Sequence, residues 1–314
     1  MIGRFRRRTS ATARLGLAVD DESAAVALVE REPNGLRLRH FAVAPEAGDD
    51  WAQRASSLTE ALDVKGVPAT TVMAEQGYQM VLVECPQVPA DEVADAVRWK
   101  VRDLVAFPTD DAVIDTIDMP DQANQAHRPM VYAVAAKQQS VQRQVELADR
   151  AGLRLDAIDI PEMCLHNVAL CLPHADAGVA FVHFADDYGT LVLSRAGVLY
   201  LIRRIDTGLA AIRSASADAM MLGNAVSGIA LELQRSLDYF ESHYDQRPIM
   251  NIVVGPGTPD GFTTRLGDEL GAAVSALDLN EVLHARPPVP DELQPLMLTA
   301  VGAALRRPKA GAAA

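Results

Sequence analysis

Short apolar runs, separated by acidic and turn-forming residues, open the chain. Arg14–Val19, Ala24–Glu30 and Leu36–Ala44 each read as a strand. The breaks between them are Asp20-Asp21-Glu22 and Glu32-Pro33-Asn34-Gly35, the second with hairpin-turn chemistry. A polar helix over about Trp51–Val64 stops at Gly66 and Pro68, and strands follow near Thr70–Ala74 and Met80–Glu84. Pro89-Ala90-Asp91 then opens a helix with Asp91 as its N-cap. Val93, Val97, Val101 and Leu104 keep helical spacing down to Phe107-Pro108, where the proline ends it. Strands at Ala112–Asp118 and Met130–Ala136 flank a polar loop, Asp121–Arg128. A helix over Gln138–Arg150 is stopped by Gly152, and a strand, Leu153–Ile160, and an apolar helix, Glu162–Leu172, close this half.

After the break at Pro173–Gly178 the pattern repeats in outline. Val179–Phe184, Gly189–Ser194 and Val198–Ile205 are three strands, with Ala196-Gly197 turning between the last two. A long helix over about Val226–Tyr244 buries the stripe Ile229, Leu233, Leu237 and Phe240. Asn251–Val254 is a strand, Phe262–Leu270 a helix, Ala273–Leu277 a strand and Glu292–Leu305 the last helix. Two halves that each open on a three-stranded meander predict a duplicated α/β architecture, each half beginning like ribonuclease H.

Composition narrows the function classes. The chain has 314 residues, 49% hydrophobic and 23% charged, enough for about two globular domains. No apolar run approaches the ~20 residues of a membrane span, no signal-peptide core follows the N-terminus, and three cysteines (Cys85, Cys164, Cys171) make no disulfide framework. These features predict a cytoplasmic protein. Arg4, Arg6, Arg7, Arg8 and Arg14 stand at one end without an acid among them, and Arg306, Arg307 and Lys309 at the other. Setting aside these eight positive charges takes the net charge from −13 to −21 for residues 20–304. Such a body repels nucleic acid, whereas the basic tails suit the anionic face of a membrane.

Several stretches, in order, resemble a known family. Ala96-Val97-Arg98-Trp99-Lys100 through Ala106-Phe107-Pro108-Thr109-Asp110-Asp111 is similar to "A-x-R-W-E-x-E-x-x-x-P-F-P-x-D-E". Val134-Ala135-Ala136-Lys137, with Ala151-Gly152-Leu153 after a helix, resembles "V-A-A-x-K…A-G-L". Leu233-Gln234-Arg235-Ser236-Leu237-Asp238-Tyr239-Phe240 resembles "E-x-x-R-S-L-x-F-F", and Ala300–Leu305 a terminal helix. The family is that of PilM and MshI, actin-like proteins of type IV and MSHA pilus assembly platforms, with the MSHA-type MshI nearest. The resemblance spans most of residues 14–306. It implies an actin-like, ribonuclease H-like duplicated two-domain fold with a small subdomain inserted in domain one and a reduced second domain. The divisions expected are a basic tail (1–13), domain 1 (14–175) with its inserted subdomain at about 87–137, domain 2 (176–306) without most of its roof, and a tail (307–314). It also implies a partner, an inner-membrane platform protein (PilN-like or equivalent) whose short cytoplasmic segment docks beside the inserted subdomain. That would hold the chain at the inner membrane from the cytoplasmic side, and a homodimer is compatible with it.

The family's nucleotide loops are altered. Its first loop, "G-x-D-I-G-x-x-x", falls on Gly16-Leu17-Ala18-Val19-Asp20-Asp21-Glu22-Ser23, with Ala18 in place of the metal-associated acid and Asp20 in place of the loop glycine. Like charges at ~4 Å cost about 4 kcal/mol per pair at an effective dielectric of 20, so three acids there oppose a triphosphate. Its second loop, "D-I-G-x-x-x-T", becomes His183-Phe184-Ala185-Asp186-Asp187-Tyr188-Gly189, replacing Asp by His183 and Gly by Ala185. The adenosine turn "G-G-G-S" becomes Gly255-Pro256-Gly257-Thr258, where Pro256 removes a donor. Between Gly208 and Val226 there is no room for the subdomain that roofs the nucleotide. The expectation is therefore no cofactor, ATP binding lost and no enzyme activity. The alternatives are a working ATPase of the same fold and the cytoplasmic protein of a general-secretion platform.

Other constellations read as structure. Cys164, His166, Cys171 and His174 lack zinc spacing, and Cys164 and Cys171 suit a buried helix face. Asp115, Asp118 and Asp121 straddle a strand and its exit, and Ser194, His183 and Asp186 lack a nucleophile elbow. Trp99 lies beside the apolar stripe of its helix, between Arg98 and Lys100. It either walls a partner-binding channel with Arg98, Phe107 and Pro108, or packs the inserted subdomain against its neighbour.

Overall fold

The computed structural model describes residues 12–20, 23–44, 51–60, 62, 64–122 and 129–307. Most of both basic tails, Asp21, Glu22 and most of the loop Asp121–Arg128 lie outside the described residues. In chain order the elements are β1 (Ala13–Val19), β2 (Ala24–Glu32), β3 (Gly35–Ala44), α1 (Trp51–Thr59), β4 (Pro68–Val72), β5 (Tyr78–Glu84), α2 (Val93–Val101), β6 (Ala112–Asp118), β7 (Met130–Lys137), α3 (Gln138–Arg150), β8 (Arg154–Asp159) and α4 (Pro161–Ala169). They continue with β9 (Val179–Phe184), β10 (Gly189–Arg195), β11 (Val198–Ile205), α5 (Leu209–Ala215), α6 (Ala219–Tyr244), β12 (Asn251–Val254), α7 (Phe262–Leu270), β13 (Val274–Ala276), α8 (Leu279–Leu283) and α9 (Gln294–Ala304).

The chain divides into two compact units. The first holds a five-stranded sheet of order β3-β2-β1-β4-β8. Its first three strands form an antiparallel meander, and β4 and β8 lie parallel to β1. Leu15 and Leu17 on β1, Val26 on β2, Ala69 on β4 and Leu147 on α3 pack one core. Helix α9 lies against β1, β2 and β4. The chain's last helix therefore returns to the first unit, although its place in sequence puts it with the second half. Two glycines allow this approach. A Cβ on Gly16 would stand 1.9 Å from the Ala300 carbonyl oxygen, and one on Gly302 would stand 2.3 Å from that of Cys164. The Asn167 amide donates to the Gly302 carbonyl at 3.1 Å, and Arg306 pairs with the buried Asp159 at 2.9 Å.

The second unit repeats the sheet, as β11-β10-β9-β12-β13 with the same pattern of antiparallel and parallel pairs. Helix α6 buries Leu222, Val226, Ile229, Leu233, Leu237 and Phe240 against it, a longer stripe than the sequence suggested. The helix begins at Ala219 because the Asp218 carboxylate accepts the Met220 and Met221 N–H groups at 2.8 and 3.0 Å. Between β11 and β12 the chain forms α5 and α6.

A three-stranded antiparallel sheet, β5-β7-β6, also belongs to this unit and packs under α2. Its core is Val83, Val97, Val101, Val105, Ile114, Val131 and Ala133. The small sheet begins at Tyr78, earlier than position 87, because β5 pairs with β7 along its whole length. Helix α2 stops at Val101, short of Phe107, and Asp91 lies in a single 3-10 turn (Ala90–Glu92) without a capping bond from its side chain. Tyr132 ties the small sheet to the unit. Its hydroxyl donates to the Ile202 carbonyl (3.2 Å) and accepts the Ile202 N–H (3.0 Å), saturating that point of the edge strand β11.

Replacing Gly302 by alanine should drive a methyl group into the α4 backbone. The expected loss is about 1–3 kcal/mol, read as a lower midpoint in urea unfolding.

Candidate functional site

The hairpin between β1 and β2 is closed by its own side chains. The Asp20 carboxylate accepts the Ser23 N–H at 2.6 Å and the Ser23 hydroxyl at 3.2 and 3.3 Å, and the Asp20 N–H donates to the Ser23 carbonyl at 3.0 Å. The Ser23 N–H, a backbone donor of the kind that cradles phosphate, is thus held by a carboxylate of the same loop. Ala18, where an acid would hold a metal, is half-buried against Val72, Cys164 and Ala303.

The corresponding hairpin of the second unit, between β9 and β10, is closed differently. The first two backbone N–H groups of α5 point into it, Leu209 donating to the Ala185 carbonyl at 2.7 Å and Ala210 to that of Asp186 at 3.0 Å. Gly208 makes this possible, since a Cβ there would lie 2.2 Å from the Asp186 carbonyl oxygen. A helix N-terminus that would suit an anion is therefore filled by protein carbonyls. Asp186 and Asp187 remain exposed beside it.

The structure brings His183 and the turn after β12 together. Strands β9 and β12 pair in parallel, and the Gly255 N–H donates to the Val182 carbonyl at 2.7 Å. A Cβ on Gly255 would meet His183 Nδ1 at 2.6 Å. The glycine that the sequence assigns to an adenosine turn is thus required by the imidazole beside it. Gly257 is required by its backbone, at φ +105°, and its carbonyl accepts from Arg213 at 3.2 Å. Pro256 is half-buried between the two. His183 Nδ1 is buried without a hydrogen-bond partner among the described residues, and burial lowers the imidazole pKa to about 4.

The four residues expected at a partner site lie together on the small subdomain, in different environments. Trp99 is 73% exposed, so it does not pack the subdomain against a neighbour. Arg98 turns inward and donates to the Thr109 and Ala112 carbonyls at 2.5 and 2.9 Å, fixing the turn after α2. Phe107 is half-buried with the Lys137 ammonium 5.6 Å from its ring centre, and Pro108 is exposed. Phe107, Pro108, Arg102, Asp103 and Asp110 border an open hollow of about 360 Å³. Leu82, Val88, Leu104 and Val113 are also exposed on this subdomain. The sequence analysis names only Leu104 among them, on the apolar stripe of its helix, and the structure leaves it exposed because α2 stops at Val101.

Among the described residues, no cluster of three or more His, Cys, Asp or Glu side chains could hold a metal ion, and no helix is long and apolar enough to cross a membrane. Cys171 falls beyond the end of α4, so it does not share a helix face with the buried Cys164.

Two sheets of identical strand order, each opening on a hairpin where an actin-like protein holds phosphate, define the class: the fold is actin-like. Among solved structures the chain is similar to the PilM-PilN type IV pilus biogenesis complex, with a TM-score of 0.67 and 20% identity over 93% of this chain and 97% of that one. It is also similar to the ethanolamine utilization protein EutJ from Carboxydothermus hydrogenoformans, with a TM-score of 0.50 and 12% identity over 95% of this chain and 90% of that one. No family model and no curated protein matches the sequence.

The depressed imidazole makes a pH prediction. In the unfolded chain His183 titrates near its ordinary value of 6.5, and in the folded protein near 4. Between these values the unfolded state binds more protons, so stability is complete above about 6.5 and falls as pH drops toward 4. The full shift is worth roughly 3 kcal/mol. Replacing His183 by asparagine should flatten this part of the stability–pH curve, measured by urea unfolding.

Proposed function

We propose that the chain is a non-catalytic scaffold of a type IV or MSHA-type pilus assembly platform. On this reading it works at the cytoplasmic side of the inner membrane by binding a short cytoplasmic segment of a PilN-like membrane protein. The observation that carries the non-catalytic part is the use of loop donors within the protein. The Ser23 N–H is held by Asp20, and the Leu209 and Ala210 N–H groups by the carbonyls of the second hairpin. Phosphate binding would have to break these bonds in the presence of exposed acids. The likeness to the PilM-PilN complex over nearly the whole chain supports the platform assignment, and the ordered sequence motifs agree with it.

For the partner, the reading favours the small subdomain around Trp99. A tryptophan left 73% exposed on a helix whose other face is fully packed is an expensive surface feature, and aromatic side chains dominate binding energy when covered. Arg98 contributes by holding the turn that carries Phe107 and Pro108, so its effect on binding is indirect.

Two experiments test this reading. Thermal melting with and without magnesium ATP should coincide; a ligand at 100 times its dissociation constant would add about 2.7 kcal/mol, and a clear upward shift would show an intact nucleotide site. Trp99→Ala should abolish co-purification of the membrane partner from detergent extracts with an unchanged melting temperature. Retained co-purification would remove Trp99 from the interface.

A further inference from the structure

Two stretches that lie far apart in sequence meet at one arginine of β2. The Arg31 N–H donates to the Thr12 carbonyl at 3.4 Å, and the Arg31 guanidinium donates to the Leu305 carbonyl at 2.9 Å. The segment before Thr12 and the segment after Leu305 are therefore attached to the first unit within about the length of one side chain of each other.

The acids beside these attachment points are paired. Glu30 and Glu32, which flank Arg31, both pair with Arg39, and Glu32 also with Arg37 at 3.5 Å. Asp156 pairs with Arg14, two residues beyond Thr12, and Asp159 with Arg306, next to Leu305, at 2.9 Å. Arg307 follows and is exposed. Six arginines (Arg14, Arg31, Arg37, Arg39, Arg306 and Arg307) thus stand here with four carboxylates, in a chain whose net charge is −13.

The attached segments add charge of the same sign. Residues 1–11 carry Arg4, Arg6, Arg7 and Arg8, residues 308–314 carry Lys309, and neither stretch contains an acid. Ile2 and Phe5 stand among the arginines. This composition suits an anionic bilayer, where cations meet the headgroups and apolar side chains enter the boundary with the acyl chains. On a nucleic acid the isoleucine and phenylalanine would gain nothing from the phosphate backbone, and the acidic remainder of the chain opposes binding.

We propose that the two basic segments act together as one site for an anionic lipid surface, carried by the first unit at Arg31. Sharing one point of attachment lets both segments reach the same membrane at once. Each basic residue near such a surface then strengthens attachment by roughly fivefold. The inference does not rest on the pilus reading. Pure lipid vesicles contain no protein partner, so either can fail without the other.

Co-sedimentation of the full chain with vesicles of phosphatidylcholine and phosphatidylglycerol tests it. The protein should bind these vesicles at low salt, leave vesicles of phosphatidylcholine alone unbound, and be released as salt rises. Arg6→Gln with Arg7→Gln should weaken binding by about 25-fold, and Arg307→Gln with Lys309→Gln by a similar factor. All four together should weaken it by about 600-fold, with an unchanged melting temperature. Segments that worked separately would not multiply in this way, because the stronger would hold the protein when the weaker was lost. Phe5→Ser should lower the affinity and leave the salt dependence as it is. Failure to bind the anionic vesicles, wild-type binding by the Arg307 and Lys309 variant, or binding to a DNA duplex in place of vesicles would overturn the proposal.

Discussion

The first unit depends on one close contact, the backbone of α9 against the middle strand of its sheet. At Gly16 there is no space for even a methyl group beneath Ala300, and at Gly302 none above Cys164. A helix of small residues, Ala300, Val301, Gly302, Ala303 and Ala304, can therefore lie directly on β1. Close packing of this kind tolerates little change in volume. It also explains why the chain must come back after β13. The face of the sheet that carries Gly16 and Ala18 would otherwise stay open to water, whereas Leu15 and Leu17 point to the other face and pack with Leu147 on α3.

With both sheets closed, the hairpins at their ends keep the positions that an actin-like fold gives to phosphate loops, but their polar groups face inward. A carboxylate satisfies the first hairpin and a helix N-terminus satisfies the second. Buried donors and acceptors need partners, and the first hairpin takes them from Asp20 and the second from its own carbonyls. The histidine beside Gly255 belongs to the same pattern. It fills space next to the glycine turn and remains neutral because burial disfavours its charge. Gly255 is accounted for by the imidazole packed against it and Gly257 by its positive φ.

The exposed apolar surface lies elsewhere. It gathers on the small subdomain around Trp99 and on the charge-free half of α6, and both are surfaces that gain by being covered.

The sequence by itself determined most of the elements, the duplication and the loop substitutions, because these rest on local periodicity and residue type. Every strand foreseen from alternation is present, and Ala18, Asp20, His183 and Ala185 were legible as departures from a motif. Only the tertiary structure decided that β5 joins the small sheet and that α9 returns to the first unit. Pairing partners and long-range closure are not encoded in a local window. It also decided environments. Arg98 and Trp99 are adjacent in sequence, but helix rotation buries the guanidinium in hydrogen bonds and leaves the indole in solvent. Gly255, a nucleotide glycine by motif, is a packing glycine because parallel strands place an imidazole against it.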